Sequence, residues 1–117
     1  HFKLYNANTS TLLESLKKGA AGYSGVMANF HPELYDVLCR NYEKEGMRGL
    51  ADRLTMFSLI ERQAYPVNAK YYLQLEGLPI GLDCRTMDKE KLSETFREEV
   101  GMLRRITGDL DKKFAGK

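Results

Sequence analysis

Gly19, Gly22 and Gly25 recur at intervals of three, a spacing that invites comparison with phosphate loops, where glycines let backbone N–H groups approach an anion. The context differs from a dinucleotide fold, in which the glycines follow a strand and open a helix. Here they follow a helical pattern and run into an apolar segment. A helix stop followed by close helix–strand packing is the better reading. His31 stands beside Pro32 at a helix start, where the helix dipole disfavours a cation. It reads as a surface or capping histidine rather than a base or ligand. Ser24 lacks the Gly-x-Ser-x-Gly elbow and a histidine with a defined role, so nucleophilic catalysis by serine is not indicated. No lysine lies in an apolar strand, where desolvation would depress its pKa for imine chemistry. Lys70 is the least conventional of them, and an ion-pair or helix-surface role suits it better than catalysis. Tyr71 and Tyr72 read as packing residues. Cys39 and Cys84 show no Cys-x-x-Cys spacing and no nearby histidine, which argues against a zinc site or disulfide framework. Reduced thiols in a cytoplasmic protein fit them, with Cys39 half-buried on a helix. The residues alone assemble no complete active site.

These side chains need a scaffold, and the composition sets its class. The chain has 117 residues, enough for one domain or part of one. Hydrophobic residues at 43% and charged residues at 29% give an ordinary globular balance. Eighteen Lys and Arg against sixteen Asp and Glu leave a net charge of +2, without a run of five like signs. Such a field does not call for nucleic acid. No apolar stretch nears the roughly 18 residues that span a bilayer, so no membrane partner is expected. The first residue is His1 rather than Met, which suggests an excised or processed piece.

Phe2-Lys3-Leu4-Tyr5 alternates in polarity and predicts a short strand. Asn8-Thr9-Ser10-Thr11 supplies helix-start oxygens, and Thr11 with Glu14 fits a capping box. Leu12, Leu13 and Leu16 form an apolar face, and Gly19 ends this helix. Tyr23 to Ala28 reads as a second strand, apolar enough to be covered on both faces as in parallel sheets. Strand, helix and strand make a βαβ unit.

From Pro32 the pattern turns helical. Leu34, Val37, Leu38 and Tyr42 share a face, and the helix stops before Gly46. Met47, Leu50, Ala51, Leu54, Phe57 and Ser58 carry a second helix, and Val67, Ala69, Tyr72 and Leu73 a third that begins at Pro66 and ends at Gly77. Leu78 to Leu82 is an apolar loop. After Asp88 a long helix carries Leu92, Phe96, Val100, Leu103, Ile106, Leu110 and Phe114 as one stripe. Two parallel strands alone bury too little and leave open edges, so the strands are expected to belong to a larger sheet.

The run Gly19-Ala20-Ala21-Gly22-Tyr23-Ser24-Gly25-Val26-Met27-Ala28-Asn29, followed by Pro32-Glu33-Leu34, resembles the last barrel strand of the dihydrodipicolinate synthase/N-acetylneuraminate lyase family. Phe2 to Thr9 resembles the preceding strand and its turn, and Pro66-Val67-Asn68-Ala69-Lys70 resembles a segment of that family's C-terminal extension. The likeness covers residues 2–107; it rests on the order and spacing of motifs rather than on any one of them. It implies an α/β architecture: the C-terminal part of a TIM (β/α)8 barrel, with the last two βα units over residues 1–45 and a three-helix extension over 46–117. A whole barrel needs about 250 residues.

The family's chemistry is aldol-type: a lysine captures pyruvate or a related 2-oxo acid as a Schiff base. That lysine and the tyrosine serving it lie on strands outside this chain, so the resemblance implies no catalytic residue here and no cofactor. It implies a substrate-binding wall at Ala7, Asn8, Ser24 and Gly25, beside the Asn29 turn, in a cytoplasmic lyase whose complete barrel forms a homo-oligomer, a dimer or tetramer. The family's usual glycine is Ala7 here, and its usual Ile-Ser pair is Ser24-Gly25. These departures reshape the pocket and count against diaminopimelate-pathway activity. A non-catalytic helical interaction module, dimerising through the stripe of residues 92–114, is the competing expectation.

Overall fold

A computed structural model describes residues 3–85 and 87–115. Two short strands, β1 (Tyr5–Asn6) and β2 (Gly22–Tyr23), pair in parallel, with Tyr5 opposite Gly22 and Asn6 opposite Tyr23. Bonds from Ala21 N to Leu4 O and from Ser24 N to Asn6 O, at 2.7 and 2.9 Å, extend the pairing by one step on each side. Of the strand predicted from Phe2 to Tyr5, Phe2 lies outside the described residues and the paired segment sits later. β2 also ends before the sequence pattern does. Past Tyr23 the described residues offer no third strand to accept the backbone bonds that any buried segment must make. Residues Val26–Asn29 instead close a 3-10 turn, with Ala28 N bonded to Gly25 O and Phe30 N to Met27 O.

Between the strands runs α1 (Leu12–Lys17), entered through a 3-10 turn at Thr9–Thr11. Asn8 rather than Thr11 provides the cap, its side chain accepting from Ser10 N. The predicted Thr11–Glu14 box does not form: Thr11 makes no cap bond, and Glu14 pairs with Arg48. One turn of 3-10 helix moves the free N–H groups back to Ser10, within reach of Asn8. Gly19 takes a φ of +104°, the left-handed conformation that glycine adopts without strain at a helix end.

Four further helices follow: α2 (Pro32–Asn41), α3 (Met47–Glu61), α4 (Val67–Leu75) and α5 (Glu94–Phe114). The result is helix-rich with a small parallel sheet. A single apolar core joins Leu12 and Leu16 of α1, Leu34 and Leu38 of α2, Leu50 and Leu54 of α3, and Val100 and Leu103 of α5. Ser93 caps α5 by accepting from Phe96 N at 3.1 Å, so the helix starts later than Asp88, which caps a separate 3-10 turn at Lys89–Lys91. Among the described residues no helix is long and apolar enough to cross a membrane.

The stripe predicted on α5 departs from its pattern at one position. Val100, Leu103 and Leu110 are buried, whereas Ile106 is 49% exposed and Thr107 is 1% exposed in its place. A four-residue step from Leu103 keeps Thr107 on the core face, and the three-residue step to Ile106 rotates off it. Thr107 tolerates burial because its hydroxyl is bonded to the Tyr72 phenol at 3.1 Å. Accordingly, Leu103→Ala is expected to lower the unfolding free energy by about 2–5 kcal/mol, and Ile106→Ala to change it by less than about 1 kcal/mol. Urea denaturation of the two variants checks this difference.

Candidate functional site

A cavity of about 330 Å³ opens where the two strands end. The segment leaving β1 contributes Ala7, Asn8, Thr9 and Ser10; Tyr23, Val26 and Met27 come from β2 and the turn after it. The far side is made by Ser58 and Arg62 at the end of α3. Of the residues expected to form a substrate wall, Ala7 and Asn8 line this cavity and Ser24 and Gly25 do not. Ser24 is exposed and spends its N–H on Asn6 O. Gly25 sits behind the wall, and a Cβ there would collide with the Tyr23 phenol and come within 2.9 Å of Ala7 O. It therefore leaves room for Tyr23 rather than for a ligand. Asn29 lies outside the cavity and donates to the Tyr65 hydroxyl at 3.2 Å.

Beneath the cavity the polar groups are bonded to one another. Thr9 Oγ1 lies 2.8 Å from the Tyr35 hydroxyl and 3.1 Å from that of Tyr23. The two tyrosine rings stack at 4.3 Å and 13°. Tyr35 is buried, and burial raises its pKa well above the usual phenol value, against the Thr9 hydrogen bond, which lowers it. Its other face lies parallel to the His31 ring at 5.7 Å, and Phe57 closes on His31 edge-on at 5.8 Å.

His31 is thus an interior residue, contrary to its predicted surface or capping role: it is 1% exposed and makes no cap bond. Its Nε2 lies 3.1 Å from Oε2 of Glu61, which is fully buried. Neither ring nitrogen and neither carboxyl oxygen has a well-aligned hydrogen-bond partner among the described residues. Burial lowers His31 to about 4 and raises Glu61 to about 9, so at neutral pH both are uncharged. Pro32 begins the helix as expected, and it is the α3 helix lying across α2 that covers His31.

The remaining candidates hold structural positions. Tyr72 packs in the core, Tyr71 lies under the Arg97 guanidinium, and Lys70 bonds to the Asp83 carbonyl. Cys39 is half-buried with its pKa raised by burial, and Cys84 is also a free thiol. A second cavity, about 440 Å³ between α2 and α5, contains Glu33, Asp36 and Asp111 beside Arg40 and lies away from both strand ends. Sequence reasoning missed Thr9, Tyr23, Ser58, Arg62 and the partners Tyr35 and Glu61. The spacing of Ser58 and Arg62, four apart at a helix end, was the only local sign of a shared wall.

Two outcomes follow from this network. Thr9→Val removes the hydroxyl that bonds both the Tyr23 and the Tyr35 phenols and should cost about 1–3 kcal/mol of stability, measurable by chemical denaturation. For the His31–Glu61 pair the two titrations act in opposite directions. The lowered His31 contributes stability above its ordinary 6.5 that is lost as pH falls toward about 4. The raised Glu61 contributes stability below its ordinary 4.5 that is lost as pH rises toward about 9. Between 4.5 and 6.5 the slopes offset, so stability should be level there and decline from 6.5 toward about 9. Glu61→Gln should abolish the alkaline decline, as read from denaturation midpoints across that range.

Among known proteins, no family model, no curated sequence and no solved structure matches this chain.

Proposed function

We propose that the chain is the C-terminal portion of a Schiff-base-forming, class I aldolase-type lyase or synthase that acts on pyruvate or a related 2-oxo acid and resembles the dihydrodipicolinate synthase/N-acetylneuraminate lyase family. One observation carries the reading. Two parallel strands joined through α1 open a cavity at their C-terminal ends, with Ala7 and Asn8 on its wall. That is the end at which a (β/α)8 barrel keeps its active site. The open sheet supports it further: Leu4 and Tyr5 beside the β1 edge are 72% and 57% exposed, apolar surface that neighbouring barrel strands would cover.

In this reading residues 1–45 are the last two βα units of the barrel and residues 46–117 its helical extension. The imine-forming lysine and the tyrosine that serves it come from the remaining strands. The chain supplies pocket wall and oligomer surface, no catalytic residue, and needs no cofactor. The buried, uncharged His31–Glu61 pair acts here by fixing the end of α3, and so the far wall of the cavity.

Borohydride trapping tests this. With pyruvate present, the complete barrel containing this chain should form a covalent adduct, and the 117-residue chain alone should not. An adduct on the chain alone would place the lysine within it and overturn the assignment.

A second reading, a non-catalytic helical interaction module, draws on α5, where Met102 and Ile106 stand one turn apart, each 49% exposed. Sedimentation decides this point: a concentration-dependent dimer abolished by Ile106→Glu favours the module, and a monomer at all concentrations removes it.

A further inference from the structure

The hydrogen-bond accounting around the strand-end cavity points to the class of ligand it holds. Nine residues line it, with one cation, Arg62, and no carboxylate. The serine hydroxyl protons on its wall are already spent. Ser10 Oγ donates to Asn8 Oδ1 at 2.8 Å, and Ser58 Oγ donates to the Thr55 carbonyl. Thr9 and Tyr23 are committed to each other and to Tyr35. Two side chains keep unspent donors. Asn8 uses its Oδ1 to accept from Ser10 N and Ser10 Oγ, which leaves both Nδ2 hydrogens free. Arg62 commits only Nε, to the Ser58 carbonyl at 3.3 Å, and among the described residues its Nη1 and Nη2 meet neither an acceptor nor a carboxylate. A cavity that offers unspent side-chain N–H donors, among them a guanidinium, and no carboxylate is complementary to an acceptor-only anion. The volume of about 330 Å³ suits a small metabolite.

We infer that this cavity takes a small molecule bearing a carboxylate or phosphate group, held by the Arg62 Nη1/Nη2 fork with Asn8 Nδ2 as the second donor. The assignment of that molecule as a substrate of the lyase rests on the lyase reading above; the capture of the anion does not. Arg62 is then a specificity-determining residue contributed by the helical segment rather than by the strands.

The test is titration of the 117-residue chain with succinate, inorganic phosphate and neutral erythritol, followed by amide NMR and calorimetry. At least one anion should bind with shifts centred on Asn8, Ser10 and Arg62, and erythritol should not. Preference between succinate and phosphate identifies which anionic group is meant. Arg62→Met should weaken binding about tenfold or more, the loss of one charge-assisted interaction. Arg62→Lys should keep part of it, and Arg53→Met, which removes the same charge from an exposed site elsewhere on α3, should leave it unchanged. Arg62 is exposed, so folding of these variants is not at issue. Equal affinity in Arg62→Met, equal binding of erythritol, or shifts confined to other residues would overturn the inference. Absence of imine trapping in the complete barrel, with anion binding intact, would sink the lyase reading alone.

Discussion

Much of this structure depends on how two ionisable side chains are kept uncharged in the interior. His31 opens α2 and Glu61 closes α3, and they meet at 3.1 Å with almost no exposure. A lone charge at either position would carry a large desolvation penalty. Both groups avoid it by titrating toward the neutral form, in opposite directions. The helices are thereby packed end against start. Phe57, His31, Tyr35 and Tyr23 form a continuous series of ring contacts from that point toward the sheet. Thr9 ends the series by bonding both phenols. Because Thr9 begins the turn into α1, one series of hydroxyl and ring contacts ties the strand ends to three helices.

The cavity is a by-product of that arrangement. Its strand-side wall is positioned by Thr9 and Tyr23, and its helix-side wall by the end of α3, which Asn68 also clamps by donating to the Ile60 and Glu61 carbonyls. Gly25 is required so that the Tyr23 phenol can lie across the backbone there. The floor is fixed by hydroxyls bonded to one another. The rim carries Asn8 Nδ2 and the Arg62 Nη1/Nη2 fork, which among the described residues face no protein acceptor. A bonded base under an unsatisfied rim is how a rigid scaffold presents polar groups to a ligand.

The sheet supplies the complementary constraint. Two residues per strand make a ladder too short to stand alone, and its stability here comes from the helices packed against it. α1 buries Leu12, Leu13 and Leu16 almost completely, whereas Leu4 and Tyr5 remain open to solvent. One side of the strand pair is therefore finished and the other is not. The proposal of a larger β/α assembly rests on this asymmetry.

Local chemistry in the sequence was enough to establish the helices. The apolar spacing of residues 34–38, 47–58 and 100–110, the glycine after α1 and the proline opening α2 are short-range signals, and each acts within a turn or two of helix. Ala7 and Asn8 could likewise be placed at a strand end from turn residues alone. Tertiary packing decided the rest. Whether β2 continued past Tyr23 depended on a neighbouring strand to receive its bonds, and whether Ile106 or Thr107 faced inward depended on Tyr72 standing opposite with a hydroxyl. His31 looked like a surface residue because its own helix start disfavours a cation. Its burial follows from Glu61, thirty residues on, and from the aromatic rings that enclose it. Arg62 became a wall residue in the same way. Its neighbours across the cavity, Ala7 to Ser10 and Tyr23 to Met27, are 35 to 55 positions earlier, a proximity that no local spacing encodes.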